Sequence, residues 1–222
     1  MTLRILVIGG FANEVAAIIR NHGDEAIVAD SVSASVTTEL VRHCRSDALV
    51  SFGYERRIAQ QVISATRCLN LHGGLLPWNR GPNPNLWCWL DDTPKGVTIH
   101  RMTEEFDAGP ILVQRESVGL EPREFSLRSS FLHFLDEALD LLMQSWPALR
   151  DGTVAEVAQP EMGGSTRTLR DEHALRQLMQ DGIDWPLDRF VALARERLDE
   201  AGVRPMRGGS WTSVRSPETS WE

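Results

Sequence analysis

The sequence predicts an α/β fold built on a mostly parallel sheet covered on both faces. Two observations lead there. Short apolar runs at 3–8, 26–29 and 48–52 alternate with segments whose apolar residues recur at helical spacing. Strand, helix, strand at this cadence implies right-handed crossovers, which lay helices over both faces of the sheet. The 222 residues suit one domain with a small appendage, or two small domains. A chain of this size hides roughly 70% of its unfolded surface, enough for a real core.

The elements follow in order. Residues 3–8 are a β-branched run ending in Gly9-Gly10, the pattern of a buried strand that turns into a helix. A helix over 13–21 carries Val15, Ile18 and Ile19 on one face and stops at Gly23. Residues 26–29 are a second strand, 36–44 a weak helix, 48–52 a third strand, 56–65 a third helix and 68–71 a fourth strand. Residues 96–102 alternate, with Val97 and Ile99 on one side and Thr98 and His100 on the other, and 111–114 pairs with them. The longest helix is expected over 122–146, with Pro122 in its first turn and Pro147 as its stop. Its Leu127, Phe131, Phe134, Leu135, Ala138 and Leu142 form a broad apolar stripe read as core. After Asp151-Gly152 the character changes: a strand at 154–159, a loop at Gly163-Gly164-Ser165, and short amphipathic helices over 171–180 and 187–198. The division is a Rossmann-like domain over 1–150, a short C-terminal extension over 151–203 and a flexible tail over 204–222. That tail is rich in Gly, Ser, Pro and Arg, which cannot bury enough apolar surface to order it. Trp211 and Trp221 stand out there as candidates to dock on the body or on a second subunit.

Composition narrows the function classes. A formal charge of −8 argues against a general nucleic-acid binder, which needs a basic face. Cys44, Cys68 and Cys88 have no CxxC spacing and an odd count, as expected of reduced thiols in the cytoplasm; a catalytic Cys is the sharper and less favoured reading. No apolar run reaches the roughly 18 residues of a membrane helix, and Glu14 and the Gly pair break any secretion-signal pattern. Gly9-Gly10 invites a dinucleotide reading, but Phe11, Ala12 and Asn13 follow where G-x-G-x-x-G is required. Asp30 is available after the second strand, yet a plain tight turn is favoured. There is no G-x-x-x-x-G-K-[ST], which removes a P-loop.

The chemistry concentrates between 70 and 107. Asn70 and His72 are two apart at a strand end, so their side chains point to the same side. An amide donor beside an imidazole can hold a developing oxyanion and move a proton. Gly73 and Gly74 leave room for a substrate to approach the backbone, and Asp107 sits in a later loop where it could orient His72. Alone this pattern is weak, and a buried, satisfied His72 is its bland alternative. A metal site from His72, His100 and Asp107 is a further alternative, although the short-spaced His pairs of such sites are missing.

The wider pattern sharpens it. Asn70-Leu71-His72, then Leu75-Leu76-Pro77-Trp78-Asn79-Arg80-Gly81, then the strand 96–100 with sequence GVTIH, then Asp107-Ala108-Gly109, resemble the N10-formyltetrahydrofolate-dependent formyltransferase family. The resemblance covers about 1–150 and is strong over 48–115. It implies formyl transfer to an amine through a tetrahedral intermediate, without a metal. Asn70 would hold the formyl oxygen. His72 would stabilise the intermediate or move protons. Asp107 would take the amine's proton, directly or through water, and keep His72 charged. The cofactor pocket would involve Phe52, Gly53 and Tyr54, Leu75 and Leu76, and Thr103, Glu104, Glu105 and Phe106. The departures from the pattern are Gly73-Gly74, where many members carry a larger residue, and Ala108, where Thr is frequent.

Three branches of that family compete for the amine. Methionyl-tRNA formyltransferases carry a C-terminal β-barrel for which 151–222 is too short. Glycinamide ribonucleotide transformylases have a Gly-Ser-Asn phosphate turn where this chain has Gly10-Phe11-Ala12-Asn13. Sugar N-formyltransferases are the favoured branch, on Pro77–Gly81, Asn85-Leu86-Trp87 and Thr93–Val97. The expected acceptor is therefore a nucleotide-linked deoxyamino sugar, with amino-acid or peptide formylation and a folate-binding, non-catalytic member as alternatives. Gly10, Phe11, Trp78, Asn79 and Arg80 are the expected substrate contacts. Trp78 would stack on a base or line the amine pocket, and Arg80 would pair with a phosphate or brace the turn. Trp87 and Trp89 cannot share a helix face, so at least one is core. An uncovered apolar face in the C-terminal part would favour a homodimer.

Overall fold

The computed structural model describes residues 1–29, 36–160 and 163–206. Asp30, Trp211 and Trp221 lie outside the described residues. Strands β1 (Arg4–Ile8), β2 (Glu25–Val28), β3 (Ala48–Phe52), β4 (Arg67–His72), β5 (Gly96–Arg101) and β6 (Ile111–Glu116) form a sheet in the order β2-β1-β3-β4-β5-β6. The first four are parallel; β5 runs antiparallel to β4, and β6 antiparallel to β5. Helices α1 (Ala12–Asn21), α2 (Thr38–Cys44), α3 (Gln60–Ala65), α4 (Pro84–Leu90), α5 (Leu127–Asp151), α6 (Arg176–Gly182) and α7 (Leu187–Glu200) complete it.

Strand alternation builds two cores. Ile5, Val7, Val50, Leu69 and Leu71 pack with α1, α4 and α5 on one face, while Leu6, Ile8, Leu49 and Cys68 pack with Val41 and Val62 on the other. Every residue of β3 is buried, as a central parallel strand requires. Asn70 and His72 alternate with Leu69 and Leu71, and so belong to the Cys68 face. The α4 helix is buried on all sides, including both Trp87 and Trp89, because the sheet, α5 and α7 surround it. Arg195 of α7 donates to the Leu90 and Trp89 carbonyls, satisfying orphan acceptors at the α4 C-terminus.

The long helix departs from expectation at both ends. Pro122 belongs to a separate 3₁₀ turn, Pro122–Glu124, and α5 starts at Leu127 behind a Ser126–Ser129 capping box. Pro147 does not stop the helix. It cannot donate to the Met143 carbonyl four residues back, but His22 Nε2 donates to that oxygen instead, at 3.0 Å. The helix therefore runs on to a left-handed Gly152. Phe131, expected in the core, is 42% exposed and packs on Phe11 at 5.8 Å between ring centroids. The third helix begins at Gln60, later than expected, leaving 56–59 as loop.

The segment after α5 folds back over the sheet edge. The strand expected at 154–159 is reduced to one antiparallel bridge between Val157 and Ile111, and Pro160, with no N–H, ends any ladder. Beyond it, Arg80 bridges to Thr166 and a buried Arg167–Asp91 ion pair at 2.5 Å closes the face, with the guanidinium over the Trp87 ring. Among the described residues no helix is long and apolar enough to cross a membrane.

Candidate active site

The end of β4 and the turn after β5 bring three polar side chains together. Asn70 Nδ2 lies 3.2 Å from Asp107 Oδ1 and 3.2 Å from His100 Nε2. His72 Nδ1 lies 3.5 Å from Asp107 Oδ2. The Gly81 N–H donates to the same Oδ2 at 2.9 Å, and His100 Nε2 approaches Oδ1 to 3.3 Å. His72 and His100 are buried, and the Asp107 side chain is 11% exposed. The local backbone is specialised: Asn79, Asn83 and Asp107 all take left-handed conformations, at φ 58°, 50° and 53°. Asn and Asp tolerate that region better than other residues with side chains.

Carbonyl partners decide the tautomers. The Asn79 oxygen can only accept, so His72 Nε2, 3.0 Å away, carries the hydrogen. By the same logic His100 Nδ1 donates to the Arg101 carbonyl at 2.8 Å, leaving Nε2 to accept from Asn70. Burial pulls the His72 pKa below its ordinary 6.5, more than Asp107 raises it. The expectation that Asp107 keeps His72 charged is thus corrected: the ring rests neutral, with a bare Nδ1 turned to the carboxylate. Burial would raise the Asp107 pKa, but the positive charge that His72 and His100 carry once protonated, together with the Gly81 N–H, reverses this and holds it well below the usual carboxylate range. A neutral imidazole nitrogen beside an ionised carboxylate can accept a proton and stabilise the cation that results. Although His72, His100 and Asp107 meet, among the described residues no group of three or more His, Cys, Asp or Glu could hold a metal ion.

The turn after β4 is braced from the C-terminal segment. Ser165 N–H donates to the Pro77 carbonyl at 3.1 Å, its carbonyl accepts from Arg80 at 2.9 Å, and its hydroxyl accepts from Asn79 N–H at 2.8 Å. The Asn79 side chain is fully buried and bonded to Thr93. Asn79, expected on substrate, therefore holds His72 through its backbone. Trp78 is 3% exposed and presents no face for a base to stack on. Its buried Nε1 has no partner among the described residues. Arg80 is committed to Gln159 Oε1, through Nε at 2.9 Å and Nη2 at 2.7 Å, so of its two readings the brace is the one made. Close approach explains Gly74 and Gly81: an added Cβ would fall 2.8 Å from His72 Nε2 and 2.2 Å from the Arg167 carbonyl.

The remaining predicted residues divide. Leu75 and Leu76 are sealed in the core, Leu76 N–H on Thr98 Oγ1 and its carbonyl on Gln114, so they offer no exposed surface to a cofactor. Thr103, Glu104, Glu105 and Phe106 form an exposed loop running into Asp107. Thr103, Glu104, Glu105 and Ala108 line a cleft of about 450 Å³ with Gln60 and Ile63 of α3. Arg57 stands 5.0 Å over the Phe106 ring. Across β3, Gly9 and Gly10 turn tightly onto its end: Gly10 N–H donates to the Gly53 carbonyl, and Phe11 packs on Phe52 at 5.1 Å. Tyr54 follows Gly53, half-buried. Gln159 was not among the expected site residues, and His100 was named only as a ligand in the metal alternative. His100 had a signal, since it shares the Thr98 face of a strand paired with β4; Gln159 had none.

Residues 12–123 match the formyl transferase family. A dTDP-4-amino-4,6-dideoxyglucose formyltransferase of Mycobacterium bovis is 30% identical over 189 residues, covering 80% of this chain and 79% of its own. The formyltransferase PseJ of Anoxybacillus kamchatkensis, solved with UDP-4,6-dideoxy-4-formamido-L-AltNAc and tetrahydrofolate, superposes with a TM-score of 0.76 at 31% identity, over 86% of this chain and 99% of that one. A sugar N-formyltransferase of a Shewanella species shares the fold, with a TM-score of 0.68 at 21% identity over 87% of each chain. From the family match and the relatives at 30% identity or more, the chain belongs to the formyltransferase family.

Proposed function

We propose that the protein moves the formyl group of N10-formyltetrahydrofolate onto the primary amine of a nucleotide-linked deoxyamino sugar. One observation carries the reading: Asn70, His72 and Asp107 meet around one point beside an open cleft, with the His72 tautomer set by Asn79. The acceptor class is supported by the relatives, one named for a dTDP-linked amino sugar and one solved with a UDP-linked formamido sugar and tetrahydrofolate.

The residues present suit that pair of substrates. The open cleft of Gln60, Ile63, Thr103, Glu104, Glu105 and Ala108 is the surface offered to the cofactor's flat ring, with the exposed Phe106 in the same loop. When substrate binds, Asn70 Nδ2 exchanges one of its two 3.2 Å contacts, with Asp107 Oδ1 and His100 Nε2, for the formyl oxygen, where negative charge develops as the amine attacks the formyl carbon. His72 Nδ1 takes the amine's proton, and Asp107 stabilises the imidazolium that forms. His72 then returns the proton to N10 as the bond from carbon to N10 breaks. Burial of both groups strengthens each of these electrostatic contacts.

The test is a panel assay that follows tetrahydrofolate release from N10-formyltetrahydrofolate with dTDP- and UDP-linked amino sugars, glycinamide ribonucleotide and free amino acids. Turnover with a nucleotide sugar is expected. Turnover only with glycinamide ribonucleotide or an amino acid would overturn the acceptor class. Saturable folate binding with no turnover anywhere on the panel would overturn the transferase reading in favour of a folate-binding protein.

A further inference from the structure

The C-terminal segment reaches the catalytic centre through one side chain. Gln159 Nε2 donates to two backbone carbonyls of the catalytic loop, Asp107 and Gly109, both at 2.7 Å. Its Oε1 accepts twice from the Arg80 guanidinium, at 2.9 and 2.7 Å. The carboxamide thus uses both hydrogens and both lone pairs, and joins the two segments whose spacing defines the site: the 77–81 turn and the 107–110 loop. It is delivered by Val157, whose N–H and carbonyl both bond Ile111 at 2.8 Å.

The loop it grips is held from both sides. Asp107 sits at φ 53°, a left-handed conformation that still costs backbone energy although Asp tolerates it better than most residues. On the far side the loop is pinned to β5: the Pro110 carbonyl accepts from Arg101 N–H at 2.9 Å, and a Cβ on Gly109 would fall 1.9 Å from the Arg101 carbonyl. On the near side, Gln159 supplies the contacts that tie Asp107 to the turn carrying the Gly81 N–H.

We infer that Gln159 is a positioning residue: by clamping the Asp107 and Gly109 carbonyls to Arg80, it sets where the Asp107 carboxylate stands relative to His72 Nδ1 and the Gly81 N–H. The inference rests on the reading that Asp107 and His72 carry the proton. It makes the C-terminal segment part of the catalytic centre, acting through Asp107 without touching substrate.

Two variants separate the halves of the clamp. Gln159→Glu keeps the acceptors for Arg80 but cannot donate to the two carbonyls; Gln159→Met loses both halves. In both, kcat should fall on the order of 10- to 100-fold, the scale of a small misplacement of reacting groups. KM for either substrate should stay within about threefold, as expected when no substrate contact is lost. The pH profile of kcat should shift in Gln159→Met, where no charge is introduced, while thermal unfolding stays near wild type. Wild-type kcat in folded Gln159→Glu would overturn the positioning role, as would a loss of kcat that tracks loss of thermal stability or an unchanged pH profile in Gln159→Met. Asp107→Asn is run beside them. If it too keeps wild-type kcat, the site reading fails and takes the Gln159 inference with it; if only the Gln159 variants do, the inference alone fails.

Discussion

The Asn79 carbonyl accepts a hydrogen bond from His72 Nε2 at 3.0 Å, and this one contact decides which nitrogen faces Asp107. Because a carbonyl cannot donate, Nδ1 is left without a hydrogen on the neutral ring, 3.5 Å from the carboxylate. Asn79 is itself fixed, left-handed and fully buried, by Ser165 and Thr93. The proton-accepting geometry is therefore a property of the turn as well as of the histidine.

Replacing the carboxylate by its neutral isostere tests that geometry cleanly. Asn accepts the left-handed φ of 53° as readily as Asp, so Asp107→Asn should fold. It removes the charge that stabilises a protonated His72, and kcat should drop by at least about 100-fold, the lower range for proton-transfer catalysis. Steady-state kinetics together with a thermal unfolding curve checks both halves.

The buried His72 predicts how stability responds to acid. Its folded pKa lies below 6.5, so below that pH the unfolded chain binds a proton that the folded ring refuses. Stability from this residue is full above 6.5 and declines as pH falls toward and through the folded pKa. Asp107, depressed from 3.8, loses its own contribution only at lower pH still. Urea unfolding at about pH 8 and about pH 5 should show a larger loss for wild type than for His72→Gln. Equal losses in both proteins would contradict a neutral, buried His72.

Two adjacent glycines make a matched pair. Gly163 has φ 98° with nothing within 4 Å of an added Cβ, whereas Gly164 has φ 86° and would place it 2.3 Å from the Pro77 carbonyl. Gly163→Ala should cost only the left-handed penalty, about 1–2 kcal/mol. Gly164→Ala should cost more, because it also displaces Ser165 from Pro77, Asn79 and Arg80, and it should lower kcat where Gly163→Ala does not. Denaturant midpoints and kcat for the two variants give the comparison.

Thiol reactivity should divide the cysteines. Burial pushes Cys68 up to about 11 and Cys88 up to about 12, so neither forms thiolate near neutrality. Cys44 is half-buried. Titration of the native protein with a chromogenic disulfide should show one accessible thiol, lost in Cys44→Ser, and all three only after unfolding.

The sheet was legible because its strands are short apolar runs with no competing period: 48–52 was read with the bounds that β3 has. The triad was legible because Asn70 and His72 share a strand face and Asp107 closes a recognisable loop. What stayed hidden depends on tertiary partners. Nothing local announces that His22 would satisfy the carbonyl Pro147 abandons, so the helix appeared to end there. Phe131 fits the apolar stripe by spacing, yet the Phe11 turn meets it at the surface. Trp78 looked like a recognition residue because it sits in a turn, but Pro77 and Asn79 are held by a segment that lies far along the chain. Gln159 follows a short apolar run without any motif, and only the fold brings it to Asp107.

Identifying the product tests formyl transfer most directly. The protein is incubated with N10-formyltetrahydrofolate carrying a labelled formyl carbon and a nucleotide-linked 4-amino-4,6-dideoxy sugar, and the sugar is analysed by mass spectrometry and carbon NMR. The expected product is a nucleotide sugar heavier by one labelled formyl group on its amine, formed in step with tetrahydrofolate and lost in His72→Asn and Asp107→Asn. Label appearing as free formate, with the amino sugar unchanged, would contradict transfer to the sugar.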